Sequence, residues 1–123
     1  MDRLFLGLAA IAAAVAVIAG SFGAHGLRER LTPDMLAVFE TAVRYHMYHA
    51  LGLIAVAWAA SRWSDTLIVI SGWLLIAGIV IFSGSLYLLS ITGMRWLGAI
   101  TPIGGVAFIA GWMCLASAML RKV

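Results

Sequence analysis

The amino-acid sequence predicts an all-α integral membrane protein, a four-helix up-and-down bundle. Three observations predict it. Of 123 residues, 64% are hydrophobic and only 11% charged, against about 25% charged in an ordinary soluble domain. No Lys, Arg, Asp or Glu occurs in residues 4–27, 45–61, 66–94 or 96–120, and a helix crosses the hydrocarbon core with about 20 apolar residues, range roughly 17–25. The connections between these stretches are short, so consecutive helices are expected as antiparallel neighbours in one transmembrane domain over residues 1–123. The expected helices cover about 4–22, 33–61, 66–91 and 102–120.

The first span has a basic start at Arg3 and an apolar run ending in small residues near Gly20 and Ala24. Those features also suit a secretory signal peptide, but the segment is expected to be the first transmembrane helix. Its Ala9, Ala13, Ala16 and Gly20 are small residues that let helix backbones approach closely in lipid. Gly23 and Gly26 punctuate the chain, and a polar loop follows through Arg28, Glu29 and Arg30.

Thr32-Pro33-Asp34 is a helix start signal. Thr32 can cap free backbone N–H groups, Pro33 has no N–H to leave unpaired, and Asp34 suits the positive end of the helix. The second span should then run to about Ser61, longer than the hydrocarbon core, with its first turns in the headgroup region and Trp58 and Trp63 marking the far interface. The third span is expected to end at Thr92-Gly93, with Arg95 and Trp96 in an interfacial loop. Thr101-Pro102 repeats the start signal before the fourth span, and Arg121 and Lys122 stop it. Ordinary capping accounts for both Thr-Pro sites without an internal repeat.

Four spans put both termini on one side with Arg3, Arg62, Arg121 and Lys122, and leave Arg28, Arg30, Arg44 and Arg95 on the other. With Arg44 counted inside a helix, the positive-inside rule places both termini in the cytoplasm. The net charge of +3 comes from basic residues scattered over loops and ends, so nucleic acid is not an expected partner. The single cysteine, Cys114, lies in the fourth apolar stretch and reads as a packing residue.

The unusual polar residues concentrate in one half. In an up-and-down arrangement the end of span one, the start of span two, the end of span three and the start of span four share a membrane face. His25, Glu40, Arg44, Tyr45, His46, His49, Ser83, Ser85 and Tyr87 therefore form the candidate ligand or interaction site. Polar groups at membrane depth are costly and normally have a partner or a purpose. Glu40 and Arg44 stand four apart with the acid first, the favourable order for a helical ion pair. His46 and His49 are three apart, so both rings are expected to point to one place, facing the Ser83-Gly84-Ser85 notch. Gly84 is expected to let the second helix approach closely. A histidine pair at this spacing, with His25 as a third ligand, would suit a metal or haem. No acidic ligand stands on that face, and hydrogen bonding to the serines and Tyr87 is the better reading, so no metal or other cofactor is expected. No nucleophile elbow, phosphate loop, HExxH motif or paired carboxylate appears, and the protein is read as non-enzymatic.

Five motifs in order, Gly23-Ala24-His25-Gly26, Tyr45-His46-Met47-Tyr48-His49, Phe82-Ser83-Gly84-Ser85-Leu86-Tyr87, Thr101-Pro102-Ile103-Gly104-Gly105 and Gly111-Trp112, resemble the YgdD-like family of small bacterial inner-membrane proteins, a domain-of-unknown-function family. The resemblance covers nearly the whole chain and implies a four-span protein of the inner, cytoplasmic membrane. It carries no activity, ligand or catalytic residue.

Three classes of function are consistent with this reading. The first is a binding or transport module whose polar corner receives a lipid headgroup, ion or small solute. The second is an accessory or assembly subunit docked in a larger membrane complex. The third, less favoured, is a haem, quinone or metal redox protein. Membrane lipids are the expected partners, with a homo-oligomer or a larger complex as the further expectation.

Overall fold

The structure is a computed structural model and describes residues 1–122. All regular structure among them is helical: α1 (Asp2–His25), α2 (Pro33–Arg62), α3 (Thr66–Gly78), a π turn (Ile79–Ser83), α4 (Gly84–Thr92), a 3-10 turn (Arg95–Ala99) and α5 (Thr101–Leu120). The π turn joins α3 and α4 into one rod, Thr66–Thr92. Three helical rods are long and apolar enough to cross a membrane, namely Asp2–His25, Thr66–Thr92 and Arg95–Leu120. The fourth, α2, is 30 residues long but is diluted by Glu40, Arg44, His46 and His49.

Local chemistry sets most of the ends. Thr32 accepts a hydrogen bond from the Met35 N–H at 3.2 Å, with Pro33 opening α2. Asp65 does the same for α3, accepting from the Leu67 N–H at 2.9 Å. Gly93 terminates α4 at φ 72°, a left-handed conformation that costs a glycine little. Two ends differ from expectation. α1 continues past Phe22 to His25, because nothing before Gly26 interrupts helical hydrogen bonding. Thr101 does not cap α5: the preceding 3-10 turn, rather than a loop, carries Arg95 and Trp96 and feeds directly into the helix. Thr101 is therefore already helical, with Ile100 at the cap position, and its hydroxyl is free for another partner.

Small residues place the rods. A Cβ on Gly72 would strike the Phe5 ring, one on Gly78 the Phe108 ring, and one on Gly104 the Phe82 backbone. Between hydrocarbon-soluble helices such close packing replaces the hydrophobic drive as the main attraction. The contacts also show direction. Phe82 with Gly104, Gly78 with Phe108, and Leu75 with Gly111 lead to Asp65 with Arg121, so α5 runs antiparallel to the α3–α4 rod. Gly23 meets Phe39 and Gly20 meets Val43, so α1 and α2 are antiparallel too. Against α2 lie α1, α3, the π turn and α4, and His49 of α2 stacks on Phe108 of α5. The most polar helix thus packs against every other rod, and its His46 and His49 are buried. The core at the other end gathers Phe5, Leu53, Val56, Ile68 and Leu75.

Candidate functional site

The middle of α2 supplies the polar side chains, and each finds its own neighbour. The His46 Nδ1 lies 2.9 Å from the Tyr87 hydroxyl of α4. His49 turns the other way. Its Nδ1 bonds the Tyr45 carbonyl oxygen at 2.6 Å, and its ring lies flat on Phe108 of α5, centroids 3.5 Å apart at 9°. Both histidines are buried. The expectation that the two rings share one place is corrected. Three helical residues leave about 60° between side chains, enough here for α4 to engage one ring and α5 the other.

The serines close the remaining gaps. The Ser83 hydroxyl donates to the Ala42 carbonyl across the helix interface at 2.8 Å. Ser85 bonds the Thr101 hydroxyl at 2.6 Å and the Phe82 carbonyl at 2.9 Å. Thr101, read from the sequence as a helix start, is thus a partner of Ser85, and only its hydroxyl type hinted at that. Tyr45 packs on Phe82, ring centroids 4.6 Å apart. Gly84 is not a close-approach point, since a Cβ there would meet nothing within 4 Å. Gly104 fills that role instead, on α5. Among the described residues the Ser71 hydroxyl is the only buried side-chain polar atom without a hydrogen-bond partner, so the inner polar groups of this half are satisfied by the protein itself.

Three candidates stand outside this network. His25 is exposed at the end of α1 and does not join His46 and His49, which corrects the expected single cluster. No group of three or more His, Cys, Asp or Glu suited to a metal ion occurs among the described residues. Glu40 and Arg44 are both exposed, and among the described residues no ion pair joins them; the three pairs found are Met1–Asp2, Arg121–Asp65 and Lys122–Asp65. The expected salt bridge is therefore corrected. Two long exposed side chains gain little by holding one geometry. Instead they flank a groove of about 310 Å³ between α1 and α2, whose other walls include Gly20, Ala24 and Val43.

A second depression, about 220 Å³ and apolar, lies between α1, α2 and the π turn, with His46 on its edge. At the opposite end of the molecule, Asp65 gathers the chain ends of two rods. Arg121 Nη2 lies 3.2 Å and Lys122 Nζ 3.5 Å from its carboxylate. The Leu67 N–H bond, reinforced by these two cations, holds the Asp65 carboxyl below the usual value of 3.8.

An all-helical chain with three membrane-capable rods and a more polar fourth helix whose histidines are buried defines the class: a small polytopic membrane protein. The chain belongs to the DUF423 family, described as a protein of unknown function, which matches residues 19–105. It is 51% identical over 120 residues to the UPF0382 membrane protein YwdK of Bacillus subtilis (strain 168), covering 97% of this chain and 98% of that protein. It is 50% identical over 121 residues to the UPF0382 membrane protein SH2409 of Staphylococcus haemolyticus, covering 98% of each. No solved structure matches it.

Proposed function

We propose that this protein is a four-span, up-and-down bundle of the bacterial inner membrane, YgdD-like within its family, with both termini in the cytoplasm. It acts by binding rather than by catalysis. Its corner at the α1–α2 end receives a lipid headgroup, an ion or a small solute.

The fourth span is α2. Its polar middle faces other helices, which removes the usual objection to histidines at membrane depth. The observation that carries the binding reading is the groove between α1 and α2. It is flanked by two opposite charges, Glu40 and Arg44, that do not neutralise each other. Native mass spectrometry of the full chain from a gentle detergent tests it. A stoichiometric lipid, ion or solute is expected, and its loss in a Glu40→Gln, Arg44→Gln double variant. A bare wild-type chain would count against it.

A second reading has its own support. The inner polar groups are closed on one another, and the outer face of α1 is bare, with Ile11 62% and Ile18 68% exposed. That combination suits an accessory or assembly subunit docked by α1 against a larger complex. The same spectrum separates the two readings, since a docked subunit arrives with a protein partner.

A further inference from the structure

We infer that the groove between α1 and α2 takes a zwitterionic phospholipid headgroup of the phosphoethanolamine type, with its phosphate on Arg44 and its primary ammonium on Glu40. The inference rests on the binding reading above and names the ligand for it.

Depth comes first. α2 has 30 residues, about 45 Å at 1.5 Å per residue, against a hydrocarbon core of about 30 Å. Its far end is marked by Trp58 and Trp63, whose rings meet edge to face at 5.4 Å, and by Arg62 over Trp58 at 5.8 Å. Such Trp and Arg groups sit at a membrane interface. Counting back about 20 residues from there brings the opposite interface between Glu40 and Arg44. The same count along α1 from Arg3 reaches Gly23. Both walls of the groove therefore meet the headgroup layer at one level.

Charge comes second. Residues four apart on a helix stand about 5–6 Å from each other at Cβ. A phosphate and an amine separated by two carbons can reach both groups at once. Arg44 offers a planar fork of N–H donors that matches phosphate oxygens. Glu40 offers only acceptors, which an ammonium with three N–H donors satisfies. A purely anionic headgroup would set its phosphate beside the Glu40 carboxylate and leave that carboxylate unmatched. A quaternary ammonium has no N–H to give it.

Shape comes third. Gly20 and Ala24 leave the α1 wall low, and Val43 comes within 3.3 Å of where a Gly20 side chain would begin. Phe39 covers Gly23 and closes the inner side. Along the same helix faces the groove continues to exposed Val17, three residues before Gly20, and to exposed Leu51, seven residues after Arg44, where acyl chains can lie. A lipid, rather than a free solute, fits that continuity.

The test uses the delipidated full chain and an equimolar mixture of phosphatidylethanolamine, phosphatidylcholine and phosphatidylglycerol, read by native mass spectrometry. The wild type is expected to retain phosphatidylethanolamine over the others by about tenfold, the effect of one charge-assisted hydrogen bond. Glu40→Gln should level the three lipids, Arg44→Gln should lose all of them, and Arg44→Lys should keep part of the binding. Both side chains are exposed and neither is in an ion pair among the described residues, so these changes should leave the fold intact. Equal retention of the three lipids by the wild type overturns the inference, as does an undiminished preference in Glu40→Gln. Retention of phosphatidylglycerol alone, abolished by Arg44→Gln, would keep the binding reading and discard the ligand. Retention of nothing would discard both. Soluble phosphoethanolamine at millimolar concentration should not displace the lipid; displacement would overturn the lipid as the source of the headgroup.

Discussion

His46 and Tyr87 meet across 41 positions of sequence, with the imidazole Nδ1 2.9 Å from the phenol oxygen and the rings edge to face at 67°. Tyr87 also leans on Phe39, centroids 5.2 Å apart. One hydrogen bond therefore ties the middle of α2 to α4, beyond the π turn. Interhelical hydrogen bonds in membranes average about 0.6 kcal/mol and reach about 1.7. Tyr87→Phe should destabilise the protein by an amount in that range in detergent unfolding. His46→Gln should then cost less in the Tyr87→Phe background than in the wild type. Additive losses would show that the two groups are not coupled.

Gly104 and Gly84 should respond in opposite ways to alanine. At Gly104 the new Cβ falls on the Phe82 backbone, which cannot rotate aside. An overpacking cost of about 1–3 kcal/mol is expected, seen as a lower melting temperature. At Gly84 the Cβ meets nothing within 4 Å, so alanine should be neutral or slightly stabilising through helix propensity. Equal melting temperatures for the two variants would refute the placement of α5 against the π turn.

The Asp65 cluster should make stability fall in acid. Its carboxyl is held below 3.8 by the Leu67 N–H first and by Arg121 and Lys122 next. A depressed folded-state value means the stabilisation is present above 3.8 and is lost as pH falls through the lower folded value. Melting curves from pH 7 down to about pH 3 should show this loss, and Asp65→Asn should flatten it while lowering the neutral-pH plateau. A plateau unchanged by Asp65→Asn would mean that the cluster contributes nothing.

Topology is testable with reporter fusions. The proposed four spans require a reporter before Met1 and one after the last residue to report the same compartment, and the proposed orientation expects it to be the cytoplasm. Opposite compartments would remove α2 as a span. Two external reporters would reverse the orientation alone.

The helical rods and most of their ends were legible because their causes are local. Composition marks the apolar runs, Thr32 bonds an N–H three residues away, and Gly93 takes its own φ. What was not legible depends on neighbours distant in sequence. The run Ile79-Val80-Ile81-Phe82-Ser83 contains no proline or polar break to announce a π turn. The spacing of His46 and His49 permits convergent rings. Only the positions of Tyr87 and Phe108 send them apart. Gly84 and Gly104 look alike as letters, and only packing against Phe82 separates them. Glu40 and Arg44 satisfy the spacing rule for an ion pair, yet a rule calibrated on isolated helices says nothing about a groove beside them.

The π turn at Ile79–Ser83 is in effect an inserted residue that the helix has absorbed rather than expelled. Each residue turns a helix by about 100°, so everything after the insertion is rephased relative to α3. Deleting one residue from this turn would leave Gly72 under Phe5 and Leu75 in the core. It would swing Ser85 away from Thr101 and Tyr87 away from His46. The rod thus carries two angular frames on a single axis: one keyed to the apolar core near Asp65, the other to the hydroxyls and imidazoles at the far end.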